Sequence, residues 1–116
     1  MSETLANSDV AGLITYRIDP MTLDIATLNS YRPGAGTALI EATASAARVA
    51  GARRLRVTTT NDNTRALRFY QRRGFRLAAV HPDAMTKARR KHKPQIPEIG
   101  QHGIPIRDEI DLVFPL

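Results

Sequence analysis

A Gly-Ala-Gly turn at residues 34–36 joins two segments of different hydrophobic periodicity. Residues 23–28 (LDIATL) roughly alternate apolar with small or polar side chains, which is the period of a strand. Residues 37–50 are rich in alanine, and Ile40 and Ala47 fall on one helical face. This pattern predicts a strand, a tight turn and a helix in succession, and therefore a fold in which helices cross over a sheet.

The rest of the chain continues the alternation of strands and helices. Further strands are predicted at residues 11–18, 55–59, 75–80 and 110–114, and helices at 64–73 and 83–94. Residues 95–106, rich in Pro and Gly, are predicted as an ordered excursion. The fold class is therefore α/β (α+β), a mixed central sheet flanked by helices. Residues 1–10 are predicted to be a flexible tail, and residues 11–116 a single domain.

Composition excludes several kinds of site. The 116 residues include no cysteine, which excludes disulfides, thiol nucleophiles and cysteine-bound zinc. The three histidines lie far apart without metal-ligand spacing, so no metal is expected. No apolar run approaches the roughly 20 residues that cross a bilayer, and the N-terminus lacks the pattern of a signal peptide. A soluble cytoplasmic protein without a membrane partner is expected.

Positive charge is concentrated in one part of the sequence. Residues 64–94 contain ten of the 17 Lys and Arg residues against one acid, Asp83, and the formal net charge is +6. Five basic residues fall within 87–93. Such a stretch attracts phosphates, either of nucleic acid or of a nucleotide cofactor, and it is equally compatible with a solvated helix face.

The turn at residues 34–36 is a candidate phosphate site. Glycines let backbone N–H groups approach a ligand closely, and the helix that follows directs its positive dipole end at the same place. An ordinary tight turn explains the same residues equally well. Neither the Walker pattern nor GxGxxG is present, because the third glycine position of the latter falls on Leu39.

A second motif runs from Asn63 to Phe75 (NTRALRFYQRRGF). On a helix, Phe69 and Tyr70 share a face with Ala66, three and four positions earlier. Tyr70 is therefore either a packed ring with a satisfied hydroxyl or a phenol placed to donate a proton.

Together the two motifs resemble those of the GNAT superfamily of acyl-CoA-dependent N-acetyltransferases. That family pairs a (Q/R)xxGxG/A turn with a downstream N–x–x–A–x–x–F/Y–Y–x–x–x–G–F signature. The downstream signature is complete here, in Asn63, Ala66, Phe69, Tyr70, Gly74 and Phe75. The turn keeps Gly34 and Gly36, but its Q/R position falls on Tyr31, with an arginine one residue later at Arg32.

The resemblance implies a binding site for acetyl-CoA and no metal. It assigns the pantetheine arm and pyrophosphate of the cofactor to Leu28, Asn29, Ser30, Arg32, Gly34, Ala35, Gly36, Thr37 and Asn63. Tyr70 would protonate the departing CoA thiolate as general acid. Asp24 matches a position where some relatives carry a base, and a solvent-facing strand aspartate is an equal alternative.

Family members usually begin with a strand, two helices and a further strand, and this sequence is expected to lack that N-terminal strand and the helices. The acceptor pocket is then expected to be shallow or completed by another chain. An unpaired sheet edge is expected at residues 11–18, which favours a homodimer. Three functions follow in order: an N-acetyltransferase acting on an unidentified primary amine, a catalytically inactive CoA-binding or protein-interaction domain, and a basic nucleic-acid-binding module.

Overall fold

The computed structural model describes the backbone of residues 2–6, 12–18, 22–30 and 35–116, and the side chains of residues 22–25 and 36–116. The described strands are β1 (Ser2–Ala6), β2 (Gly12–Ile18), β3 (Thr22–Ser30), β4 (Arg54–Thr60), β5 (Arg76–His81) and β6 (Glu109–Pro115). The helices are α1 (Ala35–Val49), α2 (Thr64–Arg72), α3 (Ala84–Lys91) and a 3-10 turn at Gln101–Gly103. The α/β class predicted from periodicity is confirmed.

The strands form a mixed sheet in the order β1-β2-β3-β4-β6-β5. β1 and β3 both pair antiparallel with β2, whereas β3 and β4 are parallel, as their connection through α1 requires. The parallel register runs from Thr22 opposite Arg54 to Ile25 opposite Val57. Beyond that register β3 continues to Ser30 and β4 to Thr60.

Two expectations for the N-terminus are wrong. Ser2–Ala6, placed in the flexible tail, forms β1 and pairs with β2 from Ser2 opposite Arg17 to Ala6 opposite Leu13. The edge of β2, expected to be unpaired, is therefore covered by β1. The segment SETLA has little intrinsic strand propensity, so pairing with β2 determines its conformation more than its own sequence does.

Contacts group the chain into two compact units, Met1–Val57 with Val113–Leu116, and Thr58–Leu112. In the first unit α1 packs on β2 and β3. The core of this unit is formed by fully or nearly buried residues of the sheet and helix: Leu23, Ile25, Leu39, Ile40, Ala44, Ala47, Leu55 and Val57. The apolar face predicted for the alanine-rich helix is the face that is buried.

Gly51 ends α1 in the left-handed conformation that the sequence predicts, with φ of 85°. The N–H of Gly51 donates to the carbonyl of Arg48 (3.1 Å), and that of Ala52 to the carbonyl of Ala47 (2.9 Å). These two bonds form a Schellman motif, which satisfies the last carbonyls of the helix and turns the chain toward β4.

The second unit holds α2, β5, α3 and the excursion before β6. Tyr70, Phe75 and Leu112 are its buried apolar residues, and Asp62 is buried with them. Within the excursion, Ile99 bridges Pro105, the Gly100 N–H donates to the Ile104 carbonyl, and the Ile104 N–H donates to the Gln101 carbonyl. The segment is therefore an ordered hairpin-like loop, as its Pro- and Gly-rich composition predicts.

Candidate functional site

The first turn of α1 carries part of the predicted cofactor-binding set. Ala35, Gly36 and Thr37 begin the helix, and no acidic side chain lies in that turn to offset its positive dipole end. Leu28, Asn29 and Ser30 form the end of β3, where the structure describes the backbone only. Arg32 and Gly34 lie outside the described residues. This end of α1 therefore has the electrostatics that favour an anion.

Asp24, the candidate base, is engaged in an ion pair. The Arg56 guanidinium donates to both carboxylate oxygens, from Nε at 2.5 Å and from Nη2 at 2.9 Å. The two residues are direct partners in the β3–β4 register. Because both oxygens already accept hydrogen bonds from a guanidinium, Asp24 has a structural role whatever else it does.

The signature from Asn63 to Phe75 has a structural basis in helix capping. Asn63 is the N-cap of α2, and its Oδ1 accepts from the N–H of Ala66 at 3.1 Å. At the other end Gly74, with φ of 97°, donates to Gln71, and Phe75 donates to Tyr70. This is a second Schellman motif, and the Tyr70 and Phe75 rings make the apolar contact that accompanies it, with centroids 5.3 Å apart.

Tyr70 is 6% exposed and lies between two other rings. Its ring meets Phe69 edge to face at 5.3 Å as well as Phe75. Burial raises the pKa of the Tyr70 hydroxyl from its ordinary 10.0 to about 12. The described part of the chain contains no buried side-chain polar atom without a hydrogen-bond partner. Tyr70 is therefore both a packing residue and a phenol that stays protonated at neutral pH.

Four arginines and a phenylalanine on α2 and at its end line an open groove of about 420 Å³: Arg65, Arg68, Phe69, Arg72 and Arg73. Arg73 is fixed there, because its guanidinium carbon lies 3.9 Å from the centre of the Phe69 ring and its Nη1 donates to the Phe69 carbonyl. The groove concentrates positive charge on one helix face, which attracts anions.

Sequence reasoning missed the residues that hold the excursion in place. Asn61 accepts the N–H groups of Arg107 and Asp108 and donates to the Pro105 carbonyl. Asp62 accepts from Thr60 and from the N–H of Gln101. The sequence feature that could have revealed these residues is the run Asn61-Asp-Asn63. One helix needs only one N-cap, so the other two side chains remain to bind other backbone groups.

Arg89 is the second anchor of the excursion. From α3 it donates to the carbonyls of Ile96, Pro97 and Ile106 at 2.7 to 2.9 Å. The basic stretch 87–93 is therefore not uniformly solvated, although Lys87, Arg90, Lys91 and Lys93 are exposed.

Within the described ranges no group of three or more His, Asp or Glu side chains is placed to hold a metal ion. In that same part of the chain no helix has the length and apolarity that spanning a bilayer requires.

The start of α1 and Tyr70 both lie in a segment that is similar to known proteins. Residues 4–75 match the model of the acetyltransferase (GNAT) family. Two Bacillus subtilis (strain 168) proteins are similar in sequence: YdhI, 46% identical over 106 residues (90% of this chain, 66% of YdhI), and YxbD, 42% identical over 112 residues (95% and 70%). The chain spans about two thirds of the length of these curated relatives.

A solved structure shares the fold. A GNAT family acetyltransferase from Elizabethkingia anophelis, crystallised with acetyl-CoA bound, superposes with a TM-score of 0.81 at 22% identity, over 99% of this chain and 76% of that one. The family match covers both the turn that opens α1 and the whole Asn63–Phe75 signature. The chain belongs to the GNAT family of acetyltransferases.

Proposed function

We propose that this protein transfers an acetyl group from acetyl-CoA to a primary amine by direct attack. The observation that carries the proposal is that one family match, residues 4–75, contains both the start of α1 and Tyr70. The first supplies a positive helix end for the cofactor, and the second supplies a protonated phenol.

The cofactor is acetyl-CoA, held chiefly by backbone. Its pyrophosphate lies against the first turn of α1 at Ala35, Gly36 and Thr37, with Arg32 and Gly34 before it, and its pantetheine arm lies along Leu28, Asn29 and Ser30. The helix dipole at that turn and the acetyl-CoA bound by the Elizabethkingia anophelis enzyme of the same fold support this assignment. Asn63 contributes its side-chain NH₂, since its Oδ1 is used in the cap.

Tyr70 is the general acid of this mechanism. A thiol such as that of cysteine has a pKa of about 8.5, well below the value of about 12 for Tyr70. Full proton transfer to a free thiolate would therefore be uphill by several kcal/mol at about 1.36 kcal/mol per pKa unit. Tyr70 accordingly donates a hydrogen bond as negative charge develops on sulfur, and the transfer is completed only as nitrogen sheds its proton.

Asp24 remains a candidate for the base that neutralises the amine. Its ion pair with Arg56 is only partly buried, with side-chain exposures of 32% and 35%, so water and substrate can compete for the carboxylate. In this role Asp24 must exchange an Arg56 hydrogen bond for one from the acceptor.

The arginine groove of α2 favours one alternative, a module that binds nucleic acid. Phosphate contacts by Arg65, Arg68 and Arg72 would give affinity that falls steeply with salt and does not discriminate acetyl-CoA from other polyanions. An inactive CoA-binding domain is the other alternative, and it differs from the enzyme in turnover alone.

A homodimer is part of the proposal, although the edge on which it was predicted is covered by β1. β5 is the last strand in the order of the described strands. All six of its residues are exposed, and Leu77 and Val80 are 58% and 59% exposed. An exposed strand with apolar side chains at a sheet edge favours pairing with a second copy.

The experiment that tests the function is release of CoA thiol from acetyl-CoA in the presence of a panel of primary amines. We expect turnover with at least one amine, and Tyr70→Phe to lower kcat about 100-fold or more with nearly unchanged acetyl-CoA affinity. Binding without turnover for any amine would support the inactive domain. If Tyr70→Phe instead abolishes acetyl-CoA binding, Tyr70 is a packing residue only.

A further inference from the structure

Three polar side chains connect adjacent strands of the second unit. The Thr58 hydroxyl on β4 donates to Asp111 Oδ1 on β6 at 2.6 Å. Asp111 Oδ2 lies 2.7 Å from His81 Nε2 on β5. The Asp111 side chain is 15% exposed and that of His81 is 50% exposed. The three groups form a hydrogen-bonded row with the imidazole at its accessible end.

This row determines which ring nitrogen of His81 carries the proton. An ionised carboxylate only accepts hydrogen bonds, and Asp111 already accepts one from Thr58. Nε2 must therefore be the protonated nitrogen of the neutral ring, which leaves a lone pair on Nδ1. Among the described residues no hydrogen bond engages Nδ1. His81 thus presents a base nitrogen to solvent while its other nitrogen is held by a carboxylate.

The row lies where the parallel pairing of β4 stops. Val57 is the last β4 residue with a partner on β3, and Thr58 follows it directly. At the other end of the row His81 is the last residue of β5. His81 therefore lies at the carboxyl end of β5, and Thr58 lies two residues before the end of β4.

Further acidic side chains lie on the segments next to His81 and Asp111. Besides Asp111, β6 contributes Glu109, two residues earlier and hence on the same side of the strand. After β5 the N–H of Asp83 donates to the Asp108 carboxylate. Arg56, two residues before Thr58 on β4, is paired with Asp24. Such surroundings attract a cationic acceptor, and a protonated amine is one.

We propose that His81 is the base that removes a proton from the amine acceptor, with Asp111 as its positioning residue and Thr58 supporting Asp111. The inference rests on the proposed acetyl transfer and names a catalytic residue for it. His81 fits the role better than Asp24, because Nδ1 has an open lone pair whereas both Asp24 oxygens accept bonds from Arg56.

Every proton is accounted for when His81 acts on the amine and Tyr70 acts on the CoA sulfur. The ammonium R–NH₃⁺ gives one proton to His81 Nδ1, and the neutral nitrogen attacks the thioester carbonyl. The C–N bond forms, the C–S bond breaks, and sulfur receives a proton from Tyr70. The second proton that nitrogen loses restores the Tyr70 phenol. The products are the amide, CoA thiol and protonated His81, which releases its proton to water.

The first test needs no substrate. Long-range ¹H–¹⁵N NMR of the imidazoles in the free protein at pH 8 reports the tautomer of His81. We expect the Nε2-protonated form in the wild type, and a shift toward the Nδ1-protonated form in Asp111→Asn. A wild-type His81 that is Nδ1-protonated has no lone pair at the open position and overturns the proposal.

The second test is the pH profile of kcat/KM with acetyl-CoA and a primary alkylamine that the thiol-release screen identifies. His81→Gln should lower kcat/KM about 100-fold at pH 7, and the loss should shrink toward pH 10 as more of the amine is neutral in solution. Asp111→Asn should show the same trend with a smaller loss. His92→Gln, an exposed histidine on the basic stretch, is the matched control and should stay within about twofold.

Each outcome supports or overturns the assignment of His81 as the base. Equal activity of His81→Gln and His92→Gln at every pH overturns the base assignment and leaves the acetyltransferase standing, because the wild type still turns over. Absence of acetyl-CoA binding or of thiol release by the wild type removes the proposed function and the base role together. Acetyl-CoA titration of each variant distinguishes lost chemistry from lost folding, and Asp111→Asn carries the test if His81→Gln does not fold.

Discussion

Tyr70 combines two roles that the sequence presents as alternatives. Its ring closes the cap of α2 against Phe75, so mutation of this residue has a structural cost. Burial raises the pKa of its hydroxyl to about 12, so Tyr70 stays protonated and remains a hydrogen-bond donor throughout the physiological pH range. Chain spacing places a tyrosine on an apolar helix face, but only the folded environment determines how strongly the phenol holds its proton.

The raised pKa of Tyr70 predicts how stability changes at alkaline pH. The unfolded phenol ionises near 10.0 and the folded one near 12, so the folded state holds the proton more tightly. The resulting stabilisation is fully present below about pH 10 and is lost as pH rises toward 12, at most about 3 kcal/mol. In urea unfolding, the difference in the free energy of unfolding between wild type and Tyr70→Phe should be smaller at pH 11 than at pH 8 by about 1.4 kcal/mol, roughly half of the full loss. A gap that stays constant would contradict the buried phenol.

The Asp24–Arg56 pair predicts a clear difference between two roles of Asp24. If Asp24 is a base, Asp24→Asn lowers kcat strongly while Arg56→Gln, which frees the carboxylate, retains or raises it. Since His81 is proposed as the base, we expect the pair to be structural only: both variants lose a similar, small amount of stability, about 1 kcal/mol or less for a partly exposed pair, and keep kcat. Thiol-release kinetics beside urea unfolding of both variants separates these results.

The elements themselves were largely predictable from the sequence. Periodicity placed the helices at 37–50 and 64–73, against observed bounds of Ala35–Val49 and Thr64–Arg72, because each has a defined end residue, Gly51 and Gly74. β1 was missed because it depends on pairing with β2. The anchoring of the excursion was missed because Asn61, Asp62 and Arg89 act on backbone groups far away in sequence, which local patterns do not reveal.

Arg89 gives a matched pair of variants on α3. It donates to three carbonyls of the excursion, whereas its neighbour Arg90 is exposed. Arg89→Met should destabilise the protein by about 2 kcal/mol, because it leaves these acceptors without their charged donor. Arg90→Met should stay within about 0.5 kcal/mol. Urea unfolding of both variants checks this, and equal losses would mean that Arg89 is an ordinary solvated side chain.

Gly100 is required by a close approach in the excursion. A Cβ at this position would collide with Asp62 Oδ2 and come too close to Ile106 Cγ1. Gly100→Ala should therefore cost about 1–3 kcal/mol, as in other overpacked sites. The cost should fall in an Asp62→Ala background, because the clashing oxygen is gone. A thermal melt of the two single variants and the double variant measures this coupling, and additive effects would contradict the contact.

The molecule as a whole is predicted to unfold in one step. The division between the two units falls within β4 and within β6 and not at the ends of these strands. Unfolding in one step is the single-domain behaviour predicted for residues 11–116. Coincident urea transitions by tyrosine fluorescence and far-UV circular dichroism would confirm it, and two separated transitions would show that the units are independent.

Assembly through β5 is the second prediction for the whole molecule. Light scattering after gel filtration should give the mass of two chains, and Leu77→Lys with Val80→Lys should give that of one. Val49→Lys is the control, because Val49 is 91% exposed but lies on α1. A wild type that is monomeric at high concentration, or a dimer that persists in the β5 variant, would remove β5 as the interface.

The proposed function requires the start of α1 to bind the anionic part of acetyl-CoA. The most direct measurement is a titration with acetyl-CoA followed by backbone amide NMR, with ATP as an equally anionic control nucleotide. We expect saturable chemical-shift changes at Ala35, Gly36 and Thr37 with acetyl-CoA that exceed those with ATP. Amides at these positions that do not move, or that respond equally to both nucleotides, would contradict it.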